Sequence, residues 1–402
     1  MLAYHEPEVQ DLLYGSMAPQ GLEWWNRIDP MYEISWKDMV GDGDRWESIS
    51  VRQHAVDVDG RGFMHHFTDR FYSPIQVRAN ELHNYRTTTI MALLMEWHQL
   101  TTNQIMTFLG EPHTRVSRSL GFLHSAGILE RLKPYWSRAN SRGRDGSGQV
   151  WRIAKRSPAT EHFFNSLGNR EWFMILNGSD PQDVSGENTP TTLKHNLLAA
   201  EIALKAMEAS PFIIGAWGED KSRGSLFIPD RESNSGVRNN VGDGALITRD
   251  GRIIVLEVTT ATARSKTSSS IVDKAAAWAT IAARSDLPLD VLFIDASPTP
   301  KPAKFTRLVR YGYQEVAKRY MTRATDRERG GARLHTADAR RWFPLARAVS
   351  PQFTRLNCWS LGEEGFRDLV EPTPIDVSSD VVVNTASALA TPKWVGLRYQ
   401  GG

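Results

Sequence analysis

Apolar positions recur at helical spacing between residues 86 and 127, then fall into short blocks that suit strands. RTTTIMALLMEWHQL places Ile90, Leu93, Leu94 and Trp97 on one face of a helix. In TTNQIMTFLG, Thr101 with Gln104 fits a capping box, and Gly110 suits the helix end. HTRVSRSLGFLHSAG predicts a third helix with Val116, Leu120 and Leu123 inward and Gly127 as its stop. ILERLKPYW and QVWRIAK read as two strands joined by the Gly/Ser/Arg loop SRANSRGRDGSG. After a stretch that ends in the turn-rich NGSDPQDVSGENTPTT, a second patterned region begins. TLKHNLLAAEIALKAMEAS is a helix with Leu193, Leu197, Ala200 and Leu204 as its inner stripe, and PFIIGAW is a buried strand. VGDGALITRDGRIIVLEVTT is a hairpin about Asp250-Gly251, SSSIVDKAAAWATIAARS a helix, and LPLDVLFIDAS a further strand ending on an acid. Beyond residue 300, KPAKFTRLVRYGYQEVAKRYMTRATDRERG reads as basic helix and ARLHTADARRWFPLA as a strand and turn. The first 80 residues show no sustained period, although SISVRQHAVDV alternates like a short strand.

The order helix, helix, helix, strand, basic loop, strand resembles a winged helix-turn-helix. That resemblance implies double-stranded DNA as the partner. The polar face of the third helix, His113, Thr114, Arg115, Ser117 and Arg118, would enter the major groove. Lys133, Arg138, Arg142 and Arg144 in and before the loop suit phosphates or the adjacent minor groove. The alternative is a winged helix used for protein contacts, its basic loop merely solvated.

Composition bounds the class. With 402 residues, 41% apolar and 23% charged, the chain is that of a globular protein with a large core. Nothing approaches a membrane span, and the acidic start lacks the order of a signal peptide. Cys358 is the only cysteine, so the chain has no internal disulfide and no thiolate metal cluster, and cytoplasm is the expected compartment. The net charge of +2 hides a polarity. Residues 1–47 carry ten acids against three basic residues, whereas residues 131–156 carry eight Arg or Lys against Asp145 alone. A local anionic partner follows, and the acidic arm is itself a candidate to lie on the basic patch. Trp24, Trp25, Trp36 and Trp46 read as core or docking surface, and His65-His66 lacks an obvious carboxylate partner for a metal.

Asp243 and Glu257 carry the candidate chemistry. If Asp250-Gly251 closes the hairpin, pairing places both acids together at its far end, with Glu257 and Thr259 on one face. Glu257 follows IIVL, a run suited to a strand buried on both faces, where an acid is costly unless paired or metal-bound. The plain alternative is two surface acids at strand ends. The element order with these acids resembles the core of the PD-(D/E)xK nuclease superfamily over residues 190–300. That resemblance implies Mg²⁺ or Mn²⁺ held by Asp243, Glu257 and the Val258 carbonyl, with Glu201 as an additional acid. Thr259 stands where that family normally has lysine. Lys274 on the following helix is the best replacement, Lys266 a weaker one, and Lys274 otherwise snorkels from a buried face. His195 reads as a core or supporting residue.

Together the two regions resemble the replication-relaxation proteins of plasmids and integrated elements, over residues 86–300, through HNLLAAEIALKA, VGDGALI and IIVLEVTT. The expected architecture is multi-domain α/β. It comprises an acidic arm (1–85), a winged helix-turn-helix (86–158), a connector (159–190), a restriction-endonuclease-like domain with a mixed central sheet (191–350) and a C-terminal extension (351–402). The function implied is metal-dependent cleavage or nicking of DNA in replication, mobilisation or transposition of a mobile element. The alternative is a DNA-binding factor with a vestigial nuclease fold. A homodimer or other proteins of a mobile-element complex are the further partners, and no membrane is expected.

Overall fold

The computed structural model describes residues 85–132, 149–154, 158–165, 190–228, 240–260, 265–297, 299–344 and 349–370. The acidic arm, Lys133, Arg138, Arg142, Arg144 and the tail from 371 lie outside the described residues. Contacts divide the chain into two compact units, with the change at residues 197–198.

In the first unit, α1 (Tyr85–Trp97), α2 (Thr102–Leu109) and α3 (His113–Ser125) accompany a three-stranded antiparallel sheet. Its strands are β1 (Leu100–Thr101), β2 (Leu129–Leu132) and β3 (Val150–Ile153), in the order β1–β3–β2. The capping box predicted for α2 is formed: Gln104 N donates to Thr101 Oγ1 at 3.1 Å and Thr101 N to Gln104 Oε1 at 3.0 Å. Gly110 closes the helix at φ 64°. Strand β1 has no counterpart in the sequence pattern. His98, at φ 58°, ends α1 three residues before the predicted stop and turns Leu100–Thr101 against Trp151 and Val150. A two-residue strand has no periodicity to read. Val116, Leu120 and Leu123 of α3 are fully buried, and Trp151 Nε1 donates to Thr102 Oγ1 at 2.9 Å. Helix α4 (Pro158–Asn165) follows β3, inside the segment read as connector.

The second unit is built on a seven-stranded mixed sheet among the described residues. In chain order come α5 (Pro190–Ala209), β4 (Ile213–Trp217), β5 (Gly244–Thr248), β6 (Ile253–Thr259), α6 (Ser265–Arg284) and β7 (Leu289–Asp295). Then follow α7 (Pro302–Tyr311), α8 (Ala324–Ala332), β8 (Leu334–Asp338), α9 (Ala339–Trp342), α10 (Pro351–Thr354), β9 (Asn357–Ser360) and β10 (Gly365–Asp368). The spatial order is β10–β9–β8–β7–β6–β5–β4. Strands β6, β7 and β8 run parallel at the centre, and antiparallel pairs flank them on both sides. The centre is apolar and buried on both faces, as IIVL and VLFI require. Helices α6 and α7 pack on each other and both contact β7 and β8.

The sheet runs past residue 350, where the sequence places a domain boundary. NCWS and GFRD are short and lack clean alternation; their pairing comes from the β8 edge, which sequence pattern does not display. Phe353 packs on Phe343 (centroids 4.6 Å apart) and Trp342 (5.2 Å), so residues 351–370 belong to this core.

Candidate functional site

The hairpin that carries the two acids forms as its turn chemistry predicts. Gly251 takes φ 81°, a conformation that suits glycine, and its N–H donates to Thr248 O at 3.0 Å. The register pairs Ile247 with Ile253 and Gly244 with Leu256, which sets Asp243 beside Glu257 at the far end. Asp243 N donates to Leu256 O at 2.8 Å, and Asp243 Oδ2 accepts Val258 N–H at 2.5 Å. Gly242 makes this close approach feasible, since a Cβ there would lie 2.5 Å from Val255 Cγ1. The turn Glu219–Lys221 and its flanks brace the strand entry: Gly242 N donates to Ser222 O at 2.9 Å.

Asp243 is 8% exposed and Glu257 3%, so they are not surface acids. Burial is tolerated because each carboxylate oxygen has a partner. Lys274 Nζ, from α6, donates to Glu257 Oε2 at 2.5 Å and lies 3.9 Å from Asp243 Oδ1. Trp278 Nε1, one turn further along α6, donates to Glu257 Oε1 at 2.5 Å. Lys274 thus turns its ammonium to the two acids and keeps 36% side-chain exposure. Burial pushes the Glu257 carboxyl up to about 7; Lys274 opposes that rise, Asp243 adds to it, and the Lys274 and Trp278 hydrogen bonds oppose it. Burial alone would depress the Lys274 ammonium, but Glu257, Asp243 and Glu219 together hold it above its ordinary value. Lys274 therefore stays charged at neutral pH.

Thr259 is half-buried at the end of β6 and pairs in register with Asp295, so it adds no charge to the cluster. Glu201 is buried on α5 and His195 is half-buried there. Trp278 and Glu219 were not legible as site residues: Trp278 hides in an alanine-rich helix face and Glu219 in a polar loop.

The oxygen donors suit a hard divalent cation, which takes one or two carboxylates and keeps several waters. Among the described residues, no group of three or more His, Cys, Asp or Glu side chains converges as a metal set. The Lys274 ammonium occupies the space between the acids, and Val258 enters through its N–H. A cation between these carboxylates would have to displace that ammonium.

In the first unit, Thr114, Arg115 and Arg118 are exposed on α3, and Ser117 Oγ lies 2.9 Å from His113 Nε2. Of the basic run, Arg152 is tied to its cross-strand neighbour Glu130 at 2.5 Å. Arg152 therefore does not count as a free cation of that patch, because an acid lying just before the run neutralises it. No helix among the described residues is long and apolar enough to cross a membrane. Compared with known proteins, the chain matches no family model, no curated protein and no solved structure.

Proposed function

We propose that the chain binds double-stranded DNA through a winged helix-turn-helix formed by α1–α3 and β1–β3, and cleaves or nicks DNA at Asp243, Glu257 and Lys274. The single observation that carries this reading is the convergence of two buried carboxylates and one lysine beside the carboxyl end of β6: Asp243 from just before β5, Glu257 from β6 and Lys274 from α6. The run α5–β4–β5–β6–α6–β7 matches the order expected of a restriction-endonuclease-like core, and Lys274 supplies the charge that Thr259 lacks. Asp243, Glu257 and the Val258 carbonyl would hold Mg²⁺ or Mn²⁺; when bound, the ion would activate water and offset charge on a phosphodiester. Lys274, released from Glu257, would orient the attacking water or neutralise the departing oxygen. Arg115 and Arg118 would position the duplex through phosphates and base edges. Membership of the replication-relaxation proteins of mobile elements remains part of this proposal.

A second reading is a DNA-binding factor whose nuclease fold is inert. It is favoured by one observation: all four oxygens of Asp243 and Glu257 already have protein partners.

Supercoiled and linear DNA, incubated with the protein and Mg²⁺ or Mn²⁺, separate the two. Nicking that falls by about 100-fold or more in Asp243→Ala, Glu257→Ala and Lys274→Ala supports the enzyme. DNA binding with no cleavage in either metal retires it and leaves the second reading.

A further inference from the structure

A cleft of about 590 Å³ opens in the second unit between α7 and the strands β8, β9 and β10. Its size falls within the ~300–1,000 Å³ of small-ligand sites. The walls combine aromatic rings with guanidinium groups: Trp359 and Phe366 from β9 and β10, Arg307 and Arg310 from α7, and Arg341 from α9. Phe366 is 59% exposed, unusual for a phenylalanine on a sheet. The Trp359 ring meets it edge-on at 5.1 Å, and the Arg341 guanidinium lies 4.0 Å from its ring centre. Aromatic and guanidinium planes set side by side suit a flat π system joined to an anion.

Polar groups in the same walls await a partner. Trp359 Nε1, Asn357 Oδ1 and Arg310 Nε are buried and have no hydrogen-bond partner among the described residues. Two of the three are donors and one is an acceptor. Glu364 offsets only Arg310, at 3.4 Å, so Arg307 and Arg341 leave the mouth positive against Asp338 alone.

Position links the cleft to the carboxylate–lysine site. Thr259 pairs with Asp295 and Asp295 with Asp338, so Asp338 in the cleft stands two strand spacings from the end of β6, ~10 Å. Helix α7, which forms one wall, packs against α6, which carries Lys274. The cleft and the site therefore open at the same end of the same parallel strands.

We propose that this cleft is a nucleotide subsite, which takes one unpaired base with its phosphate from a DNA strand entering the Asp243–Glu257–Lys274 site. This deepens the DNA-processing reading and rests on it. It implies a substrate with an overhang, a flap or a frayed end rather than uninterrupted duplex.

Fluorescence anisotropy of the full chain in EDTA tests it independently of cleavage. Three probes are compared: a blunt duplex, the same duplex with a short overhang, and that overhang built of abasic sugar-phosphates. The overhang is expected to bind about tenfold tighter than the blunt or abasic probes, and Phe366→Ala to abolish that gain while leaving blunt-duplex binding unchanged. Phe366 is exposed, so its variant keeps the fold, and Arg341→Ala serves as the second variant. Deoxyadenosine monophosphate that raises the melting temperature of the native chain and not of Phe366→Ala assigns the same site to free nucleotides. Equal binding of all three probes, an overhang gain that survives both substitutions, or inorganic phosphate matching the nucleotide overturns the proposal. A protein that binds the overhang but never nicks keeps the subsite and loses only the nuclease.

Discussion

A carboxyl group at the end of a strand buried on both faces is stabilised by a proton, by a counter-ion or by donated hydrogen bonds, and Glu257 draws on all of them. Burial lifts its pKa from 4.5 to about 7, even with Lys274 and Trp278 pulling the other way. The native state then binds this proton more tightly than the unfolded chain does. The contribution of Glu257 to stability is therefore most favourable at low pH and declines as pH rises from about 4.5 through about 7. This is opposite in sign to an acid whose pKa is depressed by a surface salt bridge. Glu257→Gln stays neutral throughout, so its stability relative to the native chain should rise across that window. Urea denaturation at a series of pH values checks this; parallel pH profiles for the two proteins would show that Glu257 keeps its ordinary pKa.

At the scale of elements, α6 does two tasks with one face. Lys274 and Trp278 sit one turn apart, so both reach the same carboxylate while Ala275, Ala276 and Ala279 let the helix approach its neighbours closely. Trp278→Phe keeps an aromatic ring, removes the indole N–H and leaves a small cavity where the pyrrole ring packed. It should cost about 1–3 kcal/mol from the carboxylate oxygen that loses its donor, with the cavity adding to that. It should also push the Glu257 pKa higher, since that hydrogen bond lowers it. Thermal unfolding gives the first effect, and the carboxyl carbon shift of Glu257 in a pH titration gives the second. An unchanged titration would mean that the indole does not govern this carboxyl.

For the whole molecule, the sheet decides what belongs together. Strands β9 and β10 cover the β8 edge, and Phe353, Leu356, Cys358 and Leu361 bury fully beside them. A chain stopped after residue 350 would expose that edge and its apolar neighbours, so it should aggregate or be degraded on expression. Soluble, monodisperse protein from that truncation, by gel filtration, would show that residues 351–370 are an appendage. The same strands supply Trp359 and Phe366, so one wall of the cleft beside α7 comes from the part of the chain that sequence alone reads as extension.

Local chemistry made much of this legible. The 3.6-residue stripe of Val116, Leu120 and Leu123, the Thr101–Gln104 capping box and the Asp250-Gly251 turn each depend on neighbours within a few residues, so the chain states them directly. A hairpin of known turn fixes its own register, which is why the sequence alone sets Asp243 and Glu257 side by side. Other features depend on partners far along the chain. The bond from Lys274 to Glu257 spans 17 residues, and that from Trp278 spans 21. The pairing of β8 with β9 and the cleft behind them are set by where helices and sheet edges meet, and no short pattern encodes that meeting. Sequence determined that two acids would share one end of a hairpin; only the tertiary structure decided that they would be buried, and that a lysine would take the place beside them, because burial and long-range pairing are properties of the packed core.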